Sequence, residues 1–92
     1  MSKTGNKGKK RIKFEVKAEP GSEVYVAGDF NNWDEKKRKL KEQDGPGLFS
    51  TSIMLDKGEY QYKFIINGNW SIDPNRDWVP NSMGTLNSVV RV

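Results

Sequence analysis

Residues 60 to 70 read YQYKFIINGNW, and this stretch decides the fold. Tyr60, Tyr62, Phe64 and Ile66 alternate with Gln61, Lys63 and Ile65, the two-residue period of a strand whose faces meet different surroundings. Asn67-Gly68 follows, and a type I′ turn needs positive φ at both central residues, which this pair tolerates at least cost. A tight hairpin here pairs Ile66 with Asn69 and Ile65 with Trp70, and further out sets Lys63 opposite Ile72. Lys63 and Trp70 then emerge on one side of the sheet, away from Tyr62 and Phe64.

Working outward, RIKFEVKA (11–18) puts Ile12, Phe14, Val16 and Ala18 on one face of a strand. EPGS turns the chain with Pro20 and Gly21 at the centre, and EVYVAG resumes as a second strand. LFSTSIML (48–55) and TLNSVVRV (85–92) show the same alternation, while DPNRDWVPNSMG between them reads as an irregular connection with two prolines. The only helix candidate is DEKKRKL (34–40), where Asp34 is placed to open a short turn, but its single apolar residue leaves it no face to bury. Six or more short strands separated by turn chemistry predict an all-β fold, an antiparallel β-sandwich.

The chain of 92 residues has room for one domain, and its ten aromatics supply the large pieces of burial that a thin core needs. Its net charge of +4 is uneven: Lys3, Lys7, Lys9, Lys10 and Arg11 carry no acid among them, leaving eleven positive and twelve negative side chains in residues 12 to 92. Residues 1–10 are therefore expected to be a disordered basic tail, and 11–92 the folded domain. With no cysteine, stability rests on packing alone. No apolar run approaches a membrane span and no secretory leader is evident, so a cytoplasmic protein that neither enters nor binds a membrane is expected, as a monomer.

Neither His nor Cys is present, which removes the usual general base, the thiolate nucleophile and the common zinc ligands. Asp29, Asp34, Asp73 and Asp77 are the acids a two-carboxylate hydrolase would draw on, but such chemistry needs a walled cleft that a small sandwich hardly builds. Asp29 and Asp73 read as turn formers. No phosphate-binding or dinucleotide fingerprint occurs, and the expectation is a non-enzyme without cofactor or metal. KKRKLK (36–41) invites a nucleic-acid reading, yet the folded part is otherwise near neutral, so it reads as a solvated loop and no nucleic-acid partner is expected.

The tryptophans are more informative. Phe14, Phe30, Phe49, Tyr60, Tyr62 and Phe64 meet the needs of the core, whereas Trp33 sits on a turn, Trp70 on an outer face and Trp78 in a proline-flanked loop. Flat indoles beside amide and ammonium donors suit the C–H face of a glucose ring; packing at the rim of the sandwich is the alternative.

VYVAGDFNNWD, GEYQYKFIINGNWSIDP and MGTLNSVVRV together resemble the glycogen-binding domains of the AMP-activated protein kinase β subunit and related family-48 carbohydrate-binding modules, over residues 11 to 92. That resemblance implies an immunoglobulin-like (E-set) β-sandwich that binds α-1,4-linked glucan (glycogen, starch or maltooligosaccharide) without catalysis. It implies sugar stacking by Trp33 and Trp70, hydrogen bonding by Lys63, Thr85 and Asn87, and an apolar knob at Met83, where the family pattern has leucine. A kinase or glucan-active enzyme as covalent or subunit partner is implied too. The alternative is a protein-interaction module in which sugar binding has been lost.

Overall fold

The computed structural model describes residues 8 to 92, so most of the expected tail lies outside the described residues. Eight strands form two antiparallel sheets. They are β1 (Lys10–Lys17), β2 (Val24–Gly28), β3 (Lys41–Glu42), β4 (Leu48–Leu55), β5 (Glu59–Ile66), β6 (Asn69–Ser71), β7 (Trp78–Pro80) and β8 (Leu86–Arg91). One sheet has the order β1-β4-β3; the other has β2-β5-β8-β7, with β6 also paired to β5. The expected all-β sandwich is what forms. No helix among the described residues is long and apolar enough to cross a membrane.

The hairpin register is as read from sequence for Ile66 with Asn69 and Ile65 with Trp70, but the ladder stops at Phe64 and Ser71, so the expected pair of Lys63 with Ile72 does not form. Asn67 and Gly68 have φ of 50° and 85°, the signature of the type I′ turn. Gly21 at φ 84° closes the EPGS turn, where the Ser22 N–H donates to the Glu19 carbonyl at 3.1 Å.

Phe14, Val24, Val26, Tyr62 and Phe64 are fully buried between the sheets, each contributing about 2 kcal/mol of apolar burial. Tyr62 meets Phe14 edge-on at 4.9 Å. Its hydroxyl donates to the buried Asp73 carboxylate at 2.6 Å and accepts from Arg76 Nη1 at 3.3 Å. Burial, then the Asp73 carboxylate, push the phenol's pKa up. Arg76 also lies 5.0 Å above the Phe14 ring and donates to the Lys13 carbonyl at 2.8 Å, so one side chain ties β1 to β5 across the sandwich. Asp73 thus does more than form a turn, although its Oδ1 accepts the Asn75 N–H at 2.9 Å as a turn aspartate does.

Two expectations need correction. The connection 73–84 is not wholly irregular: Trp78–Pro80 pairs with β8 as an edge strand, where proline's missing N–H costs no ladder bond. The run 36–41 is not simply a solvated loop. Leu40 is 2% exposed and belongs to the core, its N–H donates to the Val24 carbonyl at 2.8 Å, and the Arg38 carbonyl accepts from Val26 at 3.0 Å. The backbone runs along β2 while the charged side chains stay outside.

Candidate functional site

The site begins where β5 changes partners. Along one edge, β5 pairs with β8 over Glu59–Tyr62 and with β6 over Phe64–Ile66, and Lys63 falls at the seam, paired only with Ala27 on the opposite edge. Above this seam lies an open groove of about 550 Å³, lined by all six residues singled out in the sequence: Trp33, Lys63, Trp70, Met83, Thr85 and Asn87. Trp78 is not among its lining residues. Paired with Ser88, it shares the face of Tyr62, away from the groove, and is 55% exposed.

The two indoles stand 6.5 Å apart between ring centroids, their planes inclined by 31°. Trp70 comes from β6 and is 45% exposed. Trp33 comes from the turn after β2, where Asp29–Asn31 form one turn of 3-10 helix and Asn32 and Trp33 both take left-handed backbone, with φ of 58° and 57°. Asn31 closes this turn by accepting the Gly28 N–H and donating to the Val26 carbonyl, both at 3.0 Å. Asp29 then fixes the indole. One carboxylate oxygen accepts Trp33 Nε1–H at 2.9 Å and the other accepts the Gln61 backbone N–H at 2.8 Å. Two charge-assisted bonds thereby lash the platform to β5.

The facing wall is built around Asn81. Its Oδ1 accepts the N–H groups of Met83 and Thr85 at 2.9 and 3.0 Å, and its Nδ2 donates to Thr85 Oγ1 at 2.7 Å and Asn87 Oδ1 at 3.1 Å. Every donor and acceptor of that amide is used, and three of the six residues singled out in the sequence take their positions from it. The loop exposes Met83 to 86%, with nothing in the described chain covering it. Lys63 Nζ donates to Thr85 Oγ1 at 3.2 Å, bridging the seam to the wall.

Asn87 sits deeper than a freely offered hydrogen-bonding group: it is 9% exposed and donates to Gln61 Oε1 at 3.0 Å. One amide N–H and one lone pair remain for a ligand. The groove's charged lining is one ammonium, Lys63, and one carboxylate, Asp29, already engaged. Its chemistry is flat apolar surface edged with neutral donors and acceptors, which suits a polyhydroxylated neutral ligand.

Sequence reasoning passed over Asn81 and assigned Asp29 only a turn role. The signal for Asn81 was its place after Pro80 at the head of the SMGT turn.

Comparison with known proteins places this chain in a family. Residues 10–92 match the glycogen recognition site of AMP-activated protein kinase. The pig AMP-activated protein kinase subunit beta-1 (Sus scrofa) is 39% identical over 72 residues, covering 78% of this chain and 56% of that protein. The human subunit beta-2 (Homo sapiens) is 37% identical over 75 residues, covering 82% of this chain and 26% of that protein. The rat subunit beta-1 (Rattus norvegicus) is 39% identical over 72 residues, 78% of this chain and 25% of its own length. The chain thus spans about half of one such relative and about a quarter of the others. With its whole sandwich and groove inside the matched span, the chain belongs to the glycogen-recognition domains of AMP-activated protein kinase, a family of carbohydrate-binding rather than catalytic modules.

Proposed function

We propose that the groove binds α-1,4-linked glucan, with Trp33 and Trp70 stacking on successive glucose units, Met83 entering the concave side of the chain, and Lys63, Thr85 and Asn87 hydrogen-bonding hydroxyls. The observation that carries this reading is the pair of indoles, 6.5 Å apart and inclined by 31°, facing a polar wall across the groove. Inclined platforms follow a curving chain, whereas the flat ribbon of a β-1,4 glucan keeps its rings nearly coplanar. The site is shallow and leaves many hydroxyls wet, so affinity falls in roughly the micromolar to millimolar range.

Titration with maltoheptaose or β-cyclodextrin, followed by tryptophan fluorescence, is the direct test. A saturable change at or below millimolar sugar, with no comparable response to cellohexaose, is expected. No response to either α-glucan would remove the reading and leave the groove to a protein partner. A kinase subunit or a glucan-active enzyme is the partner class that fits a recognition module.

Asn81 gives a second test. Replacing it with alanine frees the Met83 and Thr85 N–H groups and releases Thr85 and Asn87 from their shared donor. At about 1 kcal/mol for the lost positioning, maltoheptaose should bind about fivefold more weakly. Amide shifts should change over residues 82–87 and stay fixed in β1 and β4. Unchanged affinity would show that the loop holds its shape without the amide.

A further inference from the structure

The basic run behind Trp33 has a place in the structure that the glucan groove does not use. Lys36, Lys37, Arg38 and Lys39 are exposed, and among the described residues none of them forms an ion pair. Their backbone is held at both ends. Asp34 Oδ1 accepts the Lys36 N–H at 3.0 Å, the Arg38 carbonyl accepts from Val26 at 3.0 Å, and Leu40 is locked in the core. The cations therefore stand on a fixed ledge.

Lys37 and Arg38 face a notch of about 190 Å³, whose other lining residues are Phe30, Asn31, Asn32 and Ile53. No carboxylate lines it. The notch is large enough for a small anion with part of its hydration shell. Phe30 and Ile53, both partly buried, make an apolar floor that strengthens electrostatic attraction above it. Asn31 spends its amide on the turn, but the side chain of Asn32 has no hydrogen-bond partner among the described residues. Asn32 lines the notch and Trp33, the next residue in the chain, lines the groove.

We infer that this notch takes a phosphate monoester carried on the bound α-glucan, an inference that rests on the glucan reading of the groove. A phosphate monoester is mostly dianionic near neutral pH. Arg38 offers a planar fork that matches two phosphate oxygens, Lys37 a point charge, and Asn32 an amide N–H for the remaining oxygen. On this inference a glucan leaving the Trp33 platform runs toward the ledge, and a phosphate on a glucose beyond the stacked units reaches both cations. The domain then prefers phosphorylated over plain glucan.

The test uses maltodextrins released by debranching a phosphorylated starch, before and after phosphatase treatment, with wild type and the K37Q/R38Q variant. Both residues are exposed, so the variant keeps the fold. The phosphorylated pool should bind wild type about tenfold more tightly than the dephosphorylated pool, as new charge-assisted bonds imply. This advantage should vanish in the variant and shrink in 0.5 M salt, while maltoheptaose affinity stays the same in both proteins. Equal binding of the two pools overturns the notch and leaves the glucan reading intact. If neither pool nor maltoheptaose binds, the glucan reading fails and takes this inference with it. Amide shifts at Asn32, Lys37 and Arg38 that saturate at lower inorganic phosphate or phosphoserine-peptide concentration than phosphorylated maltodextrin overturn the assignment to glucan.

Discussion

Replacing Trp70 with alanine is expected to abolish the response to maltoheptaose while leaving the fold intact. Trp70 stands on β6, a three-residue strand whose residues are all exposed, so little of the core depends on it. Its indole is nevertheless half of the stacking surface, since among the described residues the only other aromatic platform lining the groove is Trp33, 6.5 Å away. Losing a tryptophan at the centre of a small interface costs about 2 kcal/mol, or about thirtyfold in Kd. A Kd of about a millimolar then becomes tens of millimolar, beyond practical sugar concentrations, and a tighter one weakens by the same factor. Calorimetric titration together with a thermal melt gives the check. A variant that melts normally and still binds maltoheptaose as wild type does would refute Trp70's role.

The second large effect is expected at Gly28. Its backbone is ordinary extended chain, φ −172°, so the requirement for glycine is steric rather than conformational. A Cβ there would lie 2.5 Å from the Gln61 carbonyl oxygen and 2.6 Å from Tyr62 Cβ, both parts of the central strand. Neither neighbour is the end of a flexible side chain, so β2 must lift away from β5 to admit the methyl group. Gly28→Ala should cost about 3 kcal/mol, which for a domain this small lowers the melting midpoint by about 15 °C. The same displacement reaches the groove, because the Gly28 carbonyl accepts the Trp33 N–H at 2.9 Å and its N–H holds Asn31. Glucan affinity measured well below the melting point should fall too. An unchanged midpoint would mean that the sheet yields more easily than its contacts indicate.

Much of this arrangement was legible in the chain because alternation and turn chemistry are local signals. The Asn-Gly hairpin set the register of β5 against β6, and that register alone put Lys63 and Trp70 on one face. What escaped was carried by single residues with distant partners. Leu40 is one apolar residue in a charged run, too little for a periodic pattern, and the backbone bond to Val24 that accompanies its burial joins distant parts of the chain. Strand β7 is three residues long and ends in proline, which sequence reading takes for a break. Asp29 and Asp73 were read as turn residues because their second roles, binding Gln61 thirty-two positions away and Tyr62 eleven away, exist only once the sheets are assembled. Of the groove's lining residues, Trp33, Trp70 and Lys63 stood out by chemistry and register, whereas Met83, Thr85 and Asn87 were named only through family resemblance, and Asn81, which arranges those three, has a side chain with no chemistry distinctive in sequence.

The seam in β5 has a consequence for how such a module diversifies. β6 and β8 share one edge of β5 end to end, and the chain between them is anchored near its start by Asp73 and Arg76. Residues 81–85, beyond that anchor, close the β7–β8 hairpin at the groove's edge and contribute none of the core side chains. That pentapeptide is in effect an interchangeable jaw: its length and composition are open to revision, by selection or by grafting, without undoing a ladder pair. One scaffold thereby acquires different bites while its fold stays the same.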